Sequence, residues 1–240
     1  MRGGIKLFSI AAASAGAVVL LFSAPTIASA DTTNLNAGES INLATLISES
    51  LSVQIGDKVF EGFTWDPSAG DTDMAAANVD FKALVNDIGF SLQFQQPLTA
   101  YDLDFKDIVF HYTVAVTNSS NLISDLHLSL TGTASGDAYG NVGEDAYANS
   151  GDIGQIGHVQ AFVFDGAPEY LTDSTNLDSM VSQLWIAKDI QVAGASEGLD
   201  DYVSISAIDQ TFSQVPEPST VLLISLGLLG LVAVNRKRKS

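Results

Sequence analysis

The chain contains no cysteine, and between Asp31 and Val215 it contains no arginine either. The first absence excludes disulfide staples and thiolate chemistry, so a folded body must rest on an apolar core or on bound ions. The second belongs to a wider shortage of positive charge. Within residues 31–215 only Lys58, Lys82, Lys106 and Lys188 stand against 27 acidic residues, a net charge of −23. A field of that sign disfavours nucleic acid and anionic lipid surfaces, and it favours solubility and repulsion between copies. Also missing are a His-Glu-x-x-His helix and a glycine loop that could cradle phosphate. No Thr-x-Thr array recurs of the kind a regular ice-binding face needs.

What the chain does have is concentrated at its ends. Residues Val215, Pro216, Glu217 and Pro218 precede an apolar run from Val221 to Val234, and Arg236, Lys237, Arg238 and Lys239 follow it. The run is carried by Val221, Leu222, Leu223, Ile224, Leu226, Leu228, Leu229, Leu231, Val232 and Val234, and has no charged residue and no polar face. A helix apolar all round suits lipid. Its fourteen residues rise about 21 Å against a hydrocarbon core of about 30 Å, so a buried core helix is the competing reading. The uncharged flanks from Ser219 to Asn235 lengthen it to a marginal span, and the four cations would hold its end in the cytoplasm.

At the other end, Arg2 and Lys6 open a mostly apolar stretch from Leu7 to Phe22, and Ala28-Ser29-Ala30 precedes Asp31. This order predicts a secretory signal at residues 1–30 cleaved between Ala30 and Asp31, with an uncleaved anchor as the lesser reading. The body would then face outward, handled first by the Sec machinery and signal peptidase.

Pro216-Glu217-Pro218, the apolar helix and the basic end, in that order, resemble the PEP-CTERM exported proteins of Gram-negative bacteria. The resemblance covers about a tenth of the chain, taken as residues 214–240. It implies processing near Pro-Glu-Pro by an exosortase, a membrane cysteine protease or transpeptidase. It also implies an inner-membrane-anchored precursor whose body goes to the cell surface or extracellular matrix. Exopolysaccharide is the partner expected for the body.

Residues 31–213 are expected to form a single all-β domain, a jelly-roll-like β-sandwich with a few short helices, flanked by the signal helix and the C-terminal transmembrane helix. Period-two alternation predicts strands at 52–55, 59–65, 89–95, 108–116, 126–130, 159–164, 183–192 and 202–208. The turn cluster Asn118 to Asn121 predicts that strands 108–116 and 126–130 form a hairpin. Short helices are expected within 41–51, 71–84 and 174–180. The repeat Asp137-Ala138-Tyr139 and Asp145-Ala146-Tyr147 reads as an exposed loop or two short strands.

Chemistry inside the body is sparse. The hairpin register would make His111 and His127 diagonal neighbours, with Asp125 near, as a weak metal pair. Asp71 and Asp73 are weak candidates for structural calcium, as are Asp102, Asp104, Asp107 and the Asp200-Asp201 pair. Any two carboxylates could serve a glycosidase, but none is singled out. The expectation is a non-catalytic surface or matrix protein without cofactor. The alternative is an extracellular carbohydrate-binding module or a glycoside-active enzyme, using Trp65, Trp185, Tyr139 and Tyr147 as platforms. Both tryptophans lie in alternating runs and are expected in the core.

Overall fold

The computed structural model describes residues 31–216, apart from 69–73, 87, 119–120, 166–169 and 196–200. The strands are β1 (Thr32–Asn34), β2 (Ser40–Asn42), β3 (Ser52–Ile55), β4 (Lys58–Pro67), β5 (Val79–Ala83), β6 (Gly89–Tyr101) and β7 (Phe105–Val116). They continue with β8 (Asn121–Ser135), β9 (Tyr139–Asn149), β10 (Ile153–Phe164), β11 (Thr172–Val181), β12 (Gln183–Ala193), β13 (Tyr202–Thr211) and β14 (Gln214–Pro216). One sheet runs β1-β3-β4-β7-β12-β9-β10, and the other β11-β8-β13-β6-β5-β2 with β14 beside β8. The β-sandwich expected from the alternation is what the chain forms.

Alternation explains which face each strand buries. In β7, Ile108, Phe110, Tyr112 and Val114 are buried, and the intervening residues turn outward. In β12, Leu184, Ile186, Ile190 and Val192 do the same. Aromatic rings from both sheets meet between them. Phe60 of β4 lies 5.3 Å from Phe90 of β6, Phe81 of β5 stacks on Phe90 at 4.3 Å, and Tyr112 meets Phe90 edge-on at 5.3 Å. Interdigitation of this kind holds two sheets together without disulfides.

The only α-helix among the described residues, α1 (Leu43–Ser48), falls within the predicted 41–51. Asn42 caps it by accepting from the Ala44 N–H at 3.1 Å, and Leu43 and Leu46 are buried. In β4 the register shifts between Glu61 and Thr64, and Gly62 takes up a φ of 67° there. A residue with a side chain rarely adopts that conformation, so the glycine supplies the bulge.

Three local expectations fail. The stretch 174–180 is strand β11, paired with β8, because its polar residues lie on an exposed sheet face that tolerates them. Of the predicted helix 71–84, Asp71–Asp73 lie outside the described residues. The rest is a 3-10 turn at Ala76–Asn78 and strand β5, whose Val79, Phe81 and Ala83 alternate inward. The Gly-rich repeat is not two short strands: Gly136 to Ala138 form the turn after β8, and the rest lies in the single strand β9, with Val142, Glu144 and Ala146 inside. Its neighbours β12 and β10 supply the pairing that propensity alone does not.

The hairpin expected between strands 108–116 and 126–130 also fails. β7 and β8 belong to different sheets, so the turn after Val116 carries the chain from one layer to the other.

Candidate functional site

The body and the C-terminal tail meet without a spacer. After Phe212, a fully buried residue, the chain continues as β14 antiparallel to the start of β8, with Gln214 opposite Ile123, Val215 opposite Leu122 and Pro216 opposite Asn121. Ser213 adds two bonds at the joint: its N–H donates to Asp125 Oδ1 at 2.9 Å, and its carbonyl accepts from Ser124 N–H at 3.0 Å. Pro216 has no N–H to give. The Val215 and Pro216 positions named from sequence are thus extended backbone laid against the sheet. Glu217 and Pro218, the anchor residues 221–234, the basic residues 236–239 and the signal residues Ala28 and Ala30 lie outside the described residues. Asp31 is the first described residue. Among the described residues no helix is long and apolar enough to cross a membrane.

A side chain fastens the same joint to the opposite sheet. Gln214 Nε2 donates to Asp57 Oδ1 at 2.8 Å, and that carboxylate also accepts from Lys58 Nζ at 3.2 Å. Asp57 sits in the turn between β3 and β4, and its carbonyl accepts from Thr117 N–H at 2.8 Å. Burial alone would raise the Asp57 carboxyl. The Lys58 ammonium and the hydrogen bonds from Lys58 and Gln214 outweigh burial and hold it below the usual carboxylate range. Lys58 is only 2% exposed, so Asp57 is what balances a nearly buried cation. Sequence reasoning missed this joint, because Asp57 and Gln214 are 157 residues apart and no local pattern links them.

The other candidates are scattered. His111 lies on the outer face of the first sheet, with Nδ1 3.3 Å from Thr64 Oγ1. His127 lies on the outer face of the second, with Nε2 3.3 Å from Asp125 Oδ1. Two faces of a sandwich separate them, so the metal pair is excluded by topology. His158 pairs with Asp145 at 2.7 Å. Among the described residues no group of three His, Asp or Glu side chains could hold a metal ion. Asp71, Asp73 and Asp200 lie outside those residues. Asp102 and Asp104 sit in the turn between β6 and β7 rather than on a strand, Asp102 at a φ of 50°, and Asp104 pairs with Lys106 at 3.7 Å.

Asp107 of β7 instead joins Asp189 of β12. Burial, then a hydrogen bond and charge repulsion from Asp107, push the Asp189 carboxyl up to about 6. Gln191 Nε2 donates to Asp189 Oδ2 at 2.9 Å. One proton shared by two carboxyls accounts for such a shift.

Trp65 is in the core as expected, its Nε1 donating to the Met74 carbonyl at 2.7 Å. Trp185 is not. It points to the outer face of β12, half-buried, with Thr113 and Tyr147 as its cross-strand neighbours. Beside it lies a shallow cleft of about 380 Å³ between α1 and the β4 bulge, where Glu61, Thr113 and Gln183 supply polar groups. Tyr139 and Tyr147 share the outer face of β9, the first of them 43% exposed.

The sequence Gly194-Ala195-Ser196-Glu197-Gly198 has the letters of a Gly-x-Ser-x-Gly elbow. That device needs a strand, a sharp turn and then a helix. Here the segment leads out of β12 and strand β13 starts at Tyr202. Ser196 lies outside the described residues.

Comparison with known proteins identifies the tail. A family model described as the PEP-CTERM protein-sorting motif matches residues 214–239. No curated protein matches the chain in sequence. Among solved structures, the chain is similar to TmCBM61 in complex with β-1,4-galactotriose, at 11% identity and a TM-score of 0.29, over 64% of this chain and 88% of that one. A structure described as CBM4 gives 11% identity and a TM-score of 0.28, over 64% and 86%. Accessory secretory protein 1, 2 and 3 of Streptococcus pneumoniae gives 11% and 0.26, over 52% and 82%. At TM-scores of this size these likenesses carry no functional argument.

Proposed function

We propose that this chain, an exported exosortase substrate by its PEP-CTERM sorting motif, is a non-catalytic surface or extracellular-matrix protein whose acidic β-sandwich is the delivered cargo. The observation that supports this reading is the joint itself. The motif begins as β14 inside the fold, hydrogen-bonded to β8 and fastened through Gln214 to Asp57. Cutting beyond Pro216 would therefore leave a body whose last strand is already in place.

The net charge of −23 over residues 31–215 suits a hydrated matrix. Copies repel one another at low salt, and divalent cations would bridge them to other polyanions such as acidic exopolysaccharide. Weak, repeated contacts of that kind need no deep pocket.

The test is intact mass and fractionation of the protein from its native host, with and without the exosortase. Loss of the signal and of everything beyond the Pro-Glu-Pro region, dependent on the exosortase, is the expected result. A retained tail in both strains would leave a plain membrane anchor and would overturn the reading.

A second reading, a carbohydrate-binding surface, draws on the cleft beside Trp185. A half-buried indole flanked by Glu61, Thr113 and Gln183 offers an apolar edge for a sugar ring and polar groups for its hydroxyls. Affinity electrophoresis in soluble polysaccharides discriminates the two readings. Retardation that Trp185→Ala abolishes supports the second, and migration unaffected by any polysaccharide removes it.

A further inference from the structure

A polar cluster lies inside the sandwich, and neither the tail nor the outer clefts use it. Lys188 of β12 and Glu144 of β9 are opposite one another in register and both point inward. They are 0% and 1% exposed, and the Lys188 ammonium contacts Glu144 Oε2 directly. Tyr112 of β7 donates its hydroxyl to the same Glu144 oxygen at 3.4 Å. From the facing sheet, Gln210 of β13, 0% exposed, accepts from Lys188 Nζ through Oε1 at 2.9 Å. Two atoms in this cluster are buried without a partner, Glu144 Oε1 and Gln210 Nε2.

A plain buried ion pair is a poor stabiliser, since the cost of stripping water from both charges offsets their attraction. Replacing the group with apolar side chains would suit the surrounding aromatics at least as well. The particular combination present has a chemistry of its own. Burial lowers the Lys188 ammonium from its ordinary range and raises the Glu144 carboxyl, so both are driven toward their neutral forms. A neutral lysine amine is a nucleophile, and a protonated carboxyl is a general acid. The glutamine side chain is a primary amide, an acyl group whose leaving group is ammonia.

We propose that Lys188 and Gln210 become joined by an intramolecular isopeptide bond between the two sheets, with Glu144 moving the protons. Nζ already lies at hydrogen-bond distance from the amide oxygen. Rotation about the Cβ–Cγ bond of Gln210, which swings Cδ, together with rotation about Cγ–Cδ, which turns the amide face toward Nζ, would bring the carbonyl carbon to attack distance, about 3–3.5 Å.

The step balances without a co-reactant. Glu144 takes a proton from the Lys188 ammonium, and the Nζ lone pair forms a bond to Gln210 Cδ. The tetrahedral oxygen is stabilised by the carboxyl proton. Glu144 then relays a second proton from Nζ to Nε2, the Cδ–Nε2 bond breaks, and ammonia leaves. The product is Lys188 Nζ–Cδ Gln210, with nothing oxidised or reduced. Water exclusion matters twice, because it favours proton transfer from the ammonium to Glu144 and denies hydrolysis its nucleophile. The unpartnered Nε2 is the atom that departs. The bond would supply, in a chain without cysteine, the covalent tie between sheets that a disulfide gives other exported domains.

The experiment uses the full chain, expressed with its signal and tail, purified from the membrane fraction and denatured for intact-mass measurement. The expected mass is that of the processed sequence less one ammonia. Digestion after Glu169 and Glu197 places Lys188 and Gln210 on separate peptides, so the bond shows as one branched peptide whose fragmentation locates the link at Lys188. Pyroglutamate or succinimide formation also loses ammonia but gives no branched peptide. The full mass with two separate peptides in the wild-type protein would overturn the proposal, whatever any variant does. Glu144→Gln is expected to give the full mass and separate peptides. An equally abundant branched peptide in that variant would overturn the part assigned to Glu144.

Discussion

Gln214 Nε2 donates to Asp57 Oδ1 at 2.8 Å, fastening the first residue of the sorting motif to a turn of the opposite sheet. Because Lys58 Nζ uses the same oxygen, one carboxylate neutralises a nearly buried cation and holds the tail in place. Asp57→Ala should therefore lower stability by about 1–2 kcal/mol, discounted because Asp57 itself is partly exposed. Urea unfolding checks this, and Gln214→Ala should cost less because it leaves the Lys58 pair intact.

The same residue sets an acid limb. The folded Asp57 pKa is depressed, so its contribution is present above the unfolded carboxylate pKa of about 3.9 and is lost as pH falls through the lower, folded value. Thermal melts of Asp57→Asn and wild type should converge as pH drops below about 4. A gap that stays constant to the lowest pH would show that the charge is not what matters.

Asp189 works in the opposite direction. Its carboxyl is raised to about 6 in the fold, so the stability it allows at low pH is lost as pH rises through that value. Asp189→Asn is expected to raise the melting temperature at pH well above 6 and to leave it nearly unchanged near the unfolded carboxylate pKa of about 4.

Phe60 touches Phe81, Phe90, Tyr112 and Phe212, and is 0% exposed. Truncating it empties the contact between the two sheets, and Phe60→Ala should cost about 3–5 kcal/mol. Phe105, 53% exposed at the start of β7, is the control. Phe105→Ala should stay within about 0.5 kcal/mol in the same denaturation series.

Gly89 allows β6 and β13 to approach closely. A Cβ there would stand 1.8 Å from the Gln210 carbonyl oxygen, a backbone atom that cannot swing aside. Gly89→Ala should lose soluble folded protein or cost more than about 2 kcal/mol. At Gly143 a Cβ meets nothing within 4 Å, so Gly143→Ala should fold normally by circular dichroism.

The C-terminal sorting motif and the fold class were legible because each is written in contiguous residues. Pro216-Glu217-Pro218, the apolar run and the four cations stand next to one another in the sequence, and no tertiary contact is needed to recognise them as the sorting motif. Period-two alternation gave most of the strands, since a pleated chain must turn every second residue inward.

What the alternation does not encode is the sheet to which a strand belongs. A short turn after Val116 suits a hairpin, with neighbours about 5 Å apart, and equally a crossing to a layer about 10 Å away. The crossing is what occurs, and it separates His111 from His127. The Gly-rich repeat that opens and fills β9 reads as a loop or two short strands, so its Glu144 does not stand out as a core residue. Its partners Lys188 and Gln210 become visible only when three strands from two sheets are assembled. Trp185 was misread for the matching reason, since both faces of β12 alternate and only packing shows which one is covered. Sequence alone determined the sorting motif, the charge and the β class. Tertiary structure decided which side chains meet, because contact between Asp57 and Gln214, or between Lys188 and Gln210, depends on layer and register, and neither is a property of any local stretch of chain.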